Sequence, residues 1–281
     1  MLPLKYFVFC ILLISTLACC DKSQDATSAV TPLAAGIYSA DYSRFIAHAG
    51  GKIDGRVYTN SLEALDNSYS NGFRLFELDI IQTSDGVFVA AHDWEHWAKI
   101  VGYEGRLPPD SKKFAEYRIF KRYTPLTIDD INSWFEQHSD AILVTDKINN
   151  PVEFSGKFVD KNRLMMELFS WDAVEMAVNV NIRSAMPTGK ILNKINGDEI
   201  AYLTRLGVTD ISASRRILKD QRGLIEKIAG AGINVYAFHV NHDKGRDEVY
   251  VVCNERGYFY GMYADQWGFD ASLDCSEADK H

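Results

Sequence analysis

Three consecutive segments decide the fold: Phe45-Ile-Ala-His-Ala49, Ser61-Leu-Glu-Ala-Leu-Asp-Asn-Ser-Tyr69 and Leu75-Phe-Glu-Leu-Asp-Ile-Ile81. The outer two are short apolar runs, which is typical of buried strands. The middle one places Leu62, Leu65 and Tyr69 on one face of a helix, and Asn60 with Glu63 resembles an N-cap and its capping box. The order strand, helix, strand predicts a βα unit of a parallel sheet.

The same alternation continues to the end of the chain. Further strand-like runs occupy Val87–His92, Ala141–Ile148, Leu164–Phe169, Arg183–Met186, Asp210–Ala213, Asn234–Val240 and Phe259–Ala264. Amphipathic helical stretches occupy Asp172–Val180, Asp198–Leu206, Gln221–Ala229 and Asp247–Glu255, and glycines follow several helices (Gly72, Gly207, Gly232 and Gly257). About eight βα units predict an α/β protein with a closed (β/α)8 TIM barrel. An open doubly wound sheet is the alternative, but no glycine-rich phosphate loop follows the first strand.

Composition limits the classes of partner. The chain has 281 residues and a net charge of −8, which fits one barrel-sized domain or two smaller ones. It contains no run of Lys and Arg, so nucleic acid is not expected as a partner. Five cysteines exclude a dense disulfide scaffold. Cys253 and Cys275 could pair, but we expect a buried thiol and a free thiol in the tail.

The N-terminus is predicted to be a targeting segment. Lys5 precedes an apolar run that ends at Leu17, which is short for a membrane span of about 20 residues. Leu17-Ala18-Cys19-Cys20 resembles a bacterial lipobox, with Cys19 or Cys20 as the lipidated residue. We therefore expect an exported lipoprotein, anchored to a membrane and facing the periplasm or cell exterior. A plain signal peptide is the alternative.

The predicted organisation has four parts. Residues 1–20 form the signal peptide, 21–40 a flexible tether rich in Ser, Thr, Ala and Asp, 41–270 the barrel, and 271–281 a polar tail.

Acidic residues mark the predicted carboxyl ends of two strands, where the active sites of such barrels lie. Glu77 and Asp79 are two residues apart, so both side chains face the same side of one strand. Two buried acids on one face repel each other unless a cation holds them, and Mg²⁺ or Ca²⁺ prefers such oxygen ligands. Asp146 would add a third carboxylate from the neighbouring strand.

Histidines mark two further predicted strand ends, His48 after the first run and His92 after the third. A single strand-end acid or histidine is more often a capping or core residue. Two histidines and three acids at strand ends together indicate an active site.

These residues lie in motifs that resemble the glycerophosphodiester phosphodiesterase family. The family pattern H-R-G, E-N-T, E-x-D, T-x-D-G and H-D is similar to Ile46-Ala-His-Ala-Gly50, Asn60-Ser-Leu-Glu-Ala64, Phe76-Glu-Leu-Asp79, Thr83-Ser-Asp-Gly86 and Val89-Ala-Ala-His-Asp93. Weaker similarity continues in Val235-Tyr-Ala-Phe-His-Val-Asn241 and Tyr260-Gly-Met-Tyr-Ala-Asp265. The resemblance covers about Tyr42 to Trp267. It implies a barrel with a small insertion after the second strand, from Trp94 to about Arg122.

The resemblance also implies roles for individual residues. Glu77 and Asp79 would bind a divalent metal, Asp146 would be the third ligand, and His48 and His92 would form the acid/base pair. The implied activity is metal-dependent hydrolysis of a phosphodiester that is a small molecule or derived from a lipid.

Several positions depart from the family pattern. Ala49 replaces the arginine of H-R-G, and Thr59 stands where the glutamate of E-N-T is expected. Lys147, the counterpart of the family's substrate-binding lysine, directly follows Asp146, and regular strand geometry would turn it away from the phosphate. We expect Lys52 or Arg56, in the glycine-bearing loop after the first strand, to supply the phosphate-binding charge.

Other functions remain open at this point. A relative that cleaves phosphoinositides or a phosphate-linked cell-surface polymer is one alternative, and a lipid-anchored binding protein without turnover is another. A glycosidase would use barrel carboxylates but would not need two histidines. The sequence specifies neither the alcohol groups nor the oligomeric state.

Overall fold

The computed structural model describes residues 41–192 and 198–269 together with Leu273 and Cys275. Eight parallel strands form a nearly closed barrel in the order β6-β5-β4-β2-β1-β9-β8-β7. The strands are β1 (Phe45–Ala47), β2 (Leu75–Gln82), β3 (Phe88–Ala90), β4 (Ile142–Asp146), β5 (Leu164–Leu168), β6 (Ser184–Pro187), β7 (Asp210–Ser214), β8 (Asn234–Phe238) and β9 (Gly261–Ala264). A parallel bridge between Thr188 and Ser212 joins the β6 and β7 sides. The predicted (β/α)8 barrel is confirmed.

Helices follow most strands. They are α1 (Leu62–Ser70), α2 (Trp94–Val101), α3 (Ser111–Glu116), α4 (Ile128–Gln137), α5 (Pro151–Ser155), α6 (Trp171–Asn179), α7 (Gly189–Leu192), α8 (Glu199–Leu206), α9 (Leu218–Gly230) and α10 (Glu248–Tyr250), which continues as a π-helix over Val251–Glu255. Many begin at a residue whose side chain accepts a hydrogen bond from the first turn. Thr127, for example, forms a capping box with Asp130 at the start of α4.

The third strand-like run does not enter the barrel. β3 pairs antiparallel with the end of β2, where Ile80 faces Ala90. This pairing is possible because β2 is eight residues long and the turn before β3 has Gly86 at a φ of +80°. The hairpin delivers His92 to the rim of the barrel.

The predicted insertion holds α2 and α3, and it has its own apolar cluster. Trp97, Phe114 and Tyr123 are almost fully buried there. Trp97 stacks on Phe114 with ring centres 5.4 Å apart. The insertion thus packs as a compact cap beside the carboxyl end of β2.

Two apolar layers hold the barrel together. The interior is filled by side chains that alternate along the strands, namely Ile46, Leu75, Val144, Met165, Met186, Tyr236 and Tyr263. The larger layer lies between the strands and the helices and contains residues such as Phe76, Leu143 and Ile211. Because the interior is packed, the open volume lies at the rim.

Two local predictions are wrong. Ser61, not Asn60, is the N-cap residue of α1, and the Asn60 side chain bonds Asp79 instead. Cys253 and Cys275 form a disulfide rather than two free thiols. Leu273 packs against the main core, which brings Cys275 back to the π-helix.

The predicted signal peptide, tether and lipidation cysteines, Cys19 and Cys20, lie outside the described residues. Within the described part, no helix has the length and apolar character needed to cross a bilayer.

Candidate active site

A cavity of about 460 Å³ opens at the carboxyl ends of the barrel strands. Most predicted site residues line it, together with several that the sequence did not indicate. The lining consists of His48, Tyr58, Glu77, Asp79, His92, Asp146, Lys147, Glu167, Phe169, Thr188, Lys190, Phe238, His239, Val240, His242 and Tyr263. The predicted location at the strand ends agrees with this arrangement.

Three carboxylates meet at the base of the cavity. Oxygen atoms of Glu77, Asp79 and Asp146 lie within 4.8 Å of one another. Glu77 and Asp79 share one face of β2, and the parallel register sets Asp79 directly beside Asp146 on β4. The barrel therefore builds the predicted triad from two neighbouring strands.

Backbone and amide donors fix two of these acids. The Ala49 N–H donates to Glu77 Oε2 at 2.6 Å, and the Asn60 side-chain amide donates to Asp79 Oδ2 at 2.9 Å. The Asp79 N–H donates in return to Asn60 Oδ1 at 3.0 Å. The other oxygen of Glu77, Oε1, is buried without a hydrogen-bond partner among the described residues.

The environment of Glu77 favours a bound cation. Burial, then the charges of Asp79 and Asp146, raise the pKa of Glu77 well above its usual range. A divalent ion would favour the ionised form of Glu77, because it attracts the carboxylate oxygens that otherwise repel one another. The unpartnered Oε1 and the close oxygen atoms fit such an ion.

Lys147 lies inside the cavity, contrary to the geometry expected of a regular strand. Its φ of +69° breaks the alternation after β4. Its Nζ therefore lies 2.8 Å from Asp146 Oδ2 and 3.4 Å from Asp79 Oδ1. Burial opposes the charge of Lys147, but these two carboxylates outweigh it and raise its pKa above the usual range.

His48 is held by an acid from the last strand. Its Nδ1 lies 3.1 Å from Asp265 Oδ1, just after β9. Asn241 donates to the other Asp265 oxygen, Oδ2, and Glu248 accepts from the Asp265 N–H. With Nδ1 donating to Asp265, the Nε2 of neutral His48 carries the free lone pair.

His92 has a similar partner. Its Nδ1 lies 2.6 Å from Asp93 Oδ2, and Asp93 also caps α2 by accepting from the His96 N–H. Burial of Asp93 is outweighed by these hydrogen bonds, which lower its pKa. The start of the insertion thus orients the second predicted acid/base residue.

Tyr58 lies between the two histidines. Its ring centre is 4.6 Å from that of His48 and 5.4 Å from that of His92. The Tyr58 hydroxyl lies 3.3 Å from Nε2 of His242. Burial and the charges of Asp265 and Asp79 raise the pKa of Tyr58 to about 12, so it keeps its proton at neutral pH.

Two further groups of the cavity were not predicted. Glu167 on β5 accepts from Ser212 Oγ at 2.8 Å, and burial followed by the charge of Asp146 raises its pKa to about 8. His239 follows β8, where burial and His242 lower its pKa to about 4. The sequence signal for Glu167 is its position in an otherwise apolar strand, because burying a carboxylate is costly unless it is paired or hydrogen-bonded.

One protein-family model matches part of the chain. The model of the Glycerophosphoryl diester phosphodiesterase family matches residues 48–108, a segment that holds His48, Glu77, Asp79 and His92. This segment of the chain is therefore similar to the glycerophosphoryl diester phosphodiesterase family. No curated protein matches it.

Solved structures share the fold at low sequence identity. A glycerophosphoryl diester phosphodiesterase from Parabacteroides distasonis is 17% identical with a TM-score of 0.61, over 88% of this chain and 89% of that one. A phosphodiesterase from Oleispira antarctica, in complex with the product sn-glycerol-3-phosphate, is 15% identical with a TM-score of 0.60, over 85% and 97%. A putative glycerophosphodiester phosphodiesterase from Galdieria sulphuraria is 10% identical with a TM-score of 0.62, over 81% and 95%. These matches support the barrel fold.

The two departures from the family pattern are neighbours in space. Asn60 donates its backbone N–H to the Ala49 carbonyl, so Thr59 lies beside Ala49. Both residues are almost fully buried. A positive and a negative residue of the family pattern are therefore replaced together, which avoids leaving either charge buried alone.

Lys52 and Arg56 are not brought together with the acids. Neither lines the cavity, and the Arg56 guanidinium stacks on the ring of Phe120, 4.1 Å from its centre. The lysines that do line the cavity are Lys147 and Lys190. A role of Lys52 or Arg56 in phosphate binding remains only a prediction.

Proposed function

We propose that this protein hydrolyses glycerophosphodiesters with the help of a divalent metal ion, Mg²⁺ or Ca²⁺. One observation carries the proposal: the triad of Glu77, Asp79 and Asp146 shares a cavity with His48 and His92, each of which has a carboxylate at Nδ1. The similarity of residues 48–108 to the phosphodiesterase family model supports the reaction type.

A phosphodiester anion resists attack until its charge is neutralised. A divalent ion on the triad would neutralise that charge and polarise a phosphate oxygen. Lys147 is held by two of these carboxylates, Asp79 and Asp146, and would offer its ammonium group to a second oxygen of the phosphate. These charges would take over the task of the arginine that Ala49 replaces.

Proton transfer falls to His48 and His92. One takes the proton of the attacking hydroxyl, either from water or from a neighbouring substrate hydroxyl, while the new P–O bond forms. The other, which starts as an imidazolium, donates its Nε2 proton to the oxygen of the departing alcohol as the old P–O bond breaks. Asp265 and Asp93 each engage Nδ1, so Nε2 accepts the proton in the basic ring and gives one up in the acidic ring.

The substrate class is proposed by analogy with the Oleispira antarctica phosphodiesterase, whose structure contains sn-glycerol-3-phosphate. A cavity of about 460 Å³ is ample for a small diester of this kind.

We also propose export and lipid anchoring through Cys19 or Cys20, with a barrel at 41–270 behind the tether. The disulfide between Cys253 and Cys275 supports an oxidising compartment, because such bonds persist mainly outside the cytosol. Palmitate labelling of the precursor tests this. The double substitution Cys19→Ala, Cys20→Ala should abolish label and release soluble protein, whereas an unlabelled wild-type protein contradicts the anchor.

A direct assay tests the activity. Purified protein with Mg²⁺ or Ca²⁺ should release sn-glycerol-3-phosphate from glycerophosphocholine or glycerophosphoethanolamine, detected with a coupled dehydrogenase. The double substitution His48→Asn, His92→Asn should remain folded by circular dichroism and release none. A folded wild-type protein that cleaves no glycerophosphodiester with either metal would overturn the proposal.

A further inference from the structure

The cavity has a second polar side that the proposed chemistry does not use. Thr188 and Lys190 follow β6, which lies directly across the barrel from β1 and His48 in the strand order. His239 follows β8, two strands from β6 in the barrel order, and lines the same cavity. Phe169 and Phe238 add apolar lining to the cavity.

Lys190 is the lysine of the described lining that makes no ion pair with the triad. Lys147, the other lysine of this lining, is held by Asp146 and Asp79. Lys190 is exposed and makes no ion pair within the described residues. An ammonium group without a partner beside a cavity attracts an anion.

Thr188 offers an unused hydroxyl next to this lysine. The residue is only 3% exposed, and its Oγ1 is buried without a hydrogen-bond partner in the described part of the chain. Its backbone is already engaged, since its N–H donates to Leu168 and its carbonyl accepts from Ile191. A buried hydroxyl that lacks a partner is costly unless a ligand supplies one.

His239 completes the group. Its Nδ1 lies 2.7 Å from Ser214 Oγ, which leaves Nε2 for another partner. Its φ of +65° shows that the backbone leaves the strand conformation here.

We propose that Thr188, Lys190 and His239 form a subsite for an anionic group, a carboxylate or a phosphate, on the alcohol that leaves the phosphodiester. The inference rests on the proposed hydrolysis and specifies which substrates it favours. The metal end would hold the reacting phosphate, and this side would select the alcohol by its charge.

Matched substrates test the subsite. Glycerophosphoserine differs from glycerophosphoethanolamine by one carboxylate, and glycerophosphoglycerol phosphate differs from glycerophosphoglycerol by one phosphate. The wild-type kcat/KM should be about tenfold or more higher for the anionic member of at least one pair, which is the scale of a charged hydrogen bond. The pair that shows the preference distinguishes a carboxylate from a phosphate.

Substitutions locate the preference. Lys190→Met should reduce the ratio of the two kcat/KM values to about one, and Thr188→Val, which removes only the hydroxyl, should reduce it in part. Lys219→Met, an exposed lysine on α9, should keep the wild-type ratio. An equal loss on both members of a pair would overturn the inference, since Lys190 would then act on the shared phosphate.

A lack of preference in the wild-type protein would overturn it as well. If the protein turned over none of these diesters, the proposed function would fail first. The subsite would then be judged by calorimetric dissociation constants, which should still be lower for the anionic member and equalised by Lys190→Met. Equal constants in the wild-type protein would contradict the subsite independently of activity.

Discussion

His48 and His92 are held in place by different elements. Asp265 comes from the last strand and Asp93 from the cap of α2, yet each engages Nδ1 of its histidine. Each ring is therefore held in one orientation with Nε2 available, and proton transfer requires such fixed geometry.

Removing either histidine should slow the chemical step. His48→Asn and His92→Asn should each lower kcat by about 10²–10⁴-fold, the usual contribution of a proton-transfer group. The assay needs glycerophosphocholine, because an activated nitrophenyl ester needs little acid assistance. His138→Asn, outside the cavity at the end of α4, should be close to wild type. Near-normal kcat in either mutant would remove that histidine from the mechanism.

Asn60 should act on the metal through Asp79. Asn60→Ala removes both hydrogen bonds that fix this carboxylate and should weaken Mg²⁺ or Ca²⁺ binding by about 10–100-fold. Titration calorimetry with the metal alone measures the change. Asn67→Ala, which removes a bond to the Lys52 carbonyl on the surface, is the matched control. Equal affinity in the two variants would contradict a positioning role for Asn60.

Strand periodicity could predict the direction of a side chain only within a regular strand. Glu77 and Asp79 were placed correctly because β2 is regular over both. Lys147, Tyr58 and His239 all have positive φ, so alternation misplaces or overlooks them. Lys190 lies in α7, beyond the end of β6, so strand periodicity does not predict where its side chain points.

At the scale of elements, the sequence predicted where strands lie along the chain but not which strand each one pairs with. The run at Val87–His92 was recognised as a strand, yet its antiparallel partner depends on the length of β2 and the turn at Gly86. Asn60 was misassigned for a related reason, since Asn can cap a helix or bond a distant carboxylate equally well. The choice between these two roles depends on tertiary packing, which brings Asn60 next to Asp79.

The disulfide joins the π-helix to the C-terminal segment and should stabilise the fold. Its cysteines are 22 residues apart, a loop for which the entropy model gives about 3 kcal/mol. Cys253→Ser with Cys275→Ser should lower the free energy of unfolding in urea by about this amount. A reductant should lower the stability of the wild-type protein and leave the double mutant unchanged. Equal stability with and without reductant would show that the bond contributes nothing.

At the scale of the whole molecule, the barrel collects the site from distant parts of the chain. The described cavity takes residues from the ends of β1, β2, β4, β5, β6, β8 and β9. Sequence alone predicted this edge of the barrel, because every parallel strand ends there. It could not predict the second polar side, since a lysine and a threonine after a strand form no recognisable pattern.

The buried acids should make the stability of the metal-free protein depend on pH. Folding raises the pKa of Glu167 from its ordinary 4.5 to about 8. Between these values the native state binds more protons than the unfolded state, so stability falls as pH rises, by at most about 1.4 kcal/mol per pH unit. Urea unfolding in EDTA from pH 5 to pH 8 measures the slope.

Glu167→Gln should flatten that slope, whereas Glu136→Gln on the surface of α4 should not. A slope unaffected by Glu167→Gln would mean that this residue is ionised in the native protein throughout the range.

Metal dependence at the triad is the central claim, and one measurement tests it most directly. The protein is dialysed against EDTA, assayed on glycerophosphocholine, and assayed again after Mg²⁺ or Ca²⁺ is restored, beside Glu77→Gln treated in the same way. We expect the wild-type protein to lose turnover in EDTA and regain it with metal, while Glu77→Gln stays folded and inactive throughout. Full turnover of the wild-type protein in excess EDTA would contradict the account.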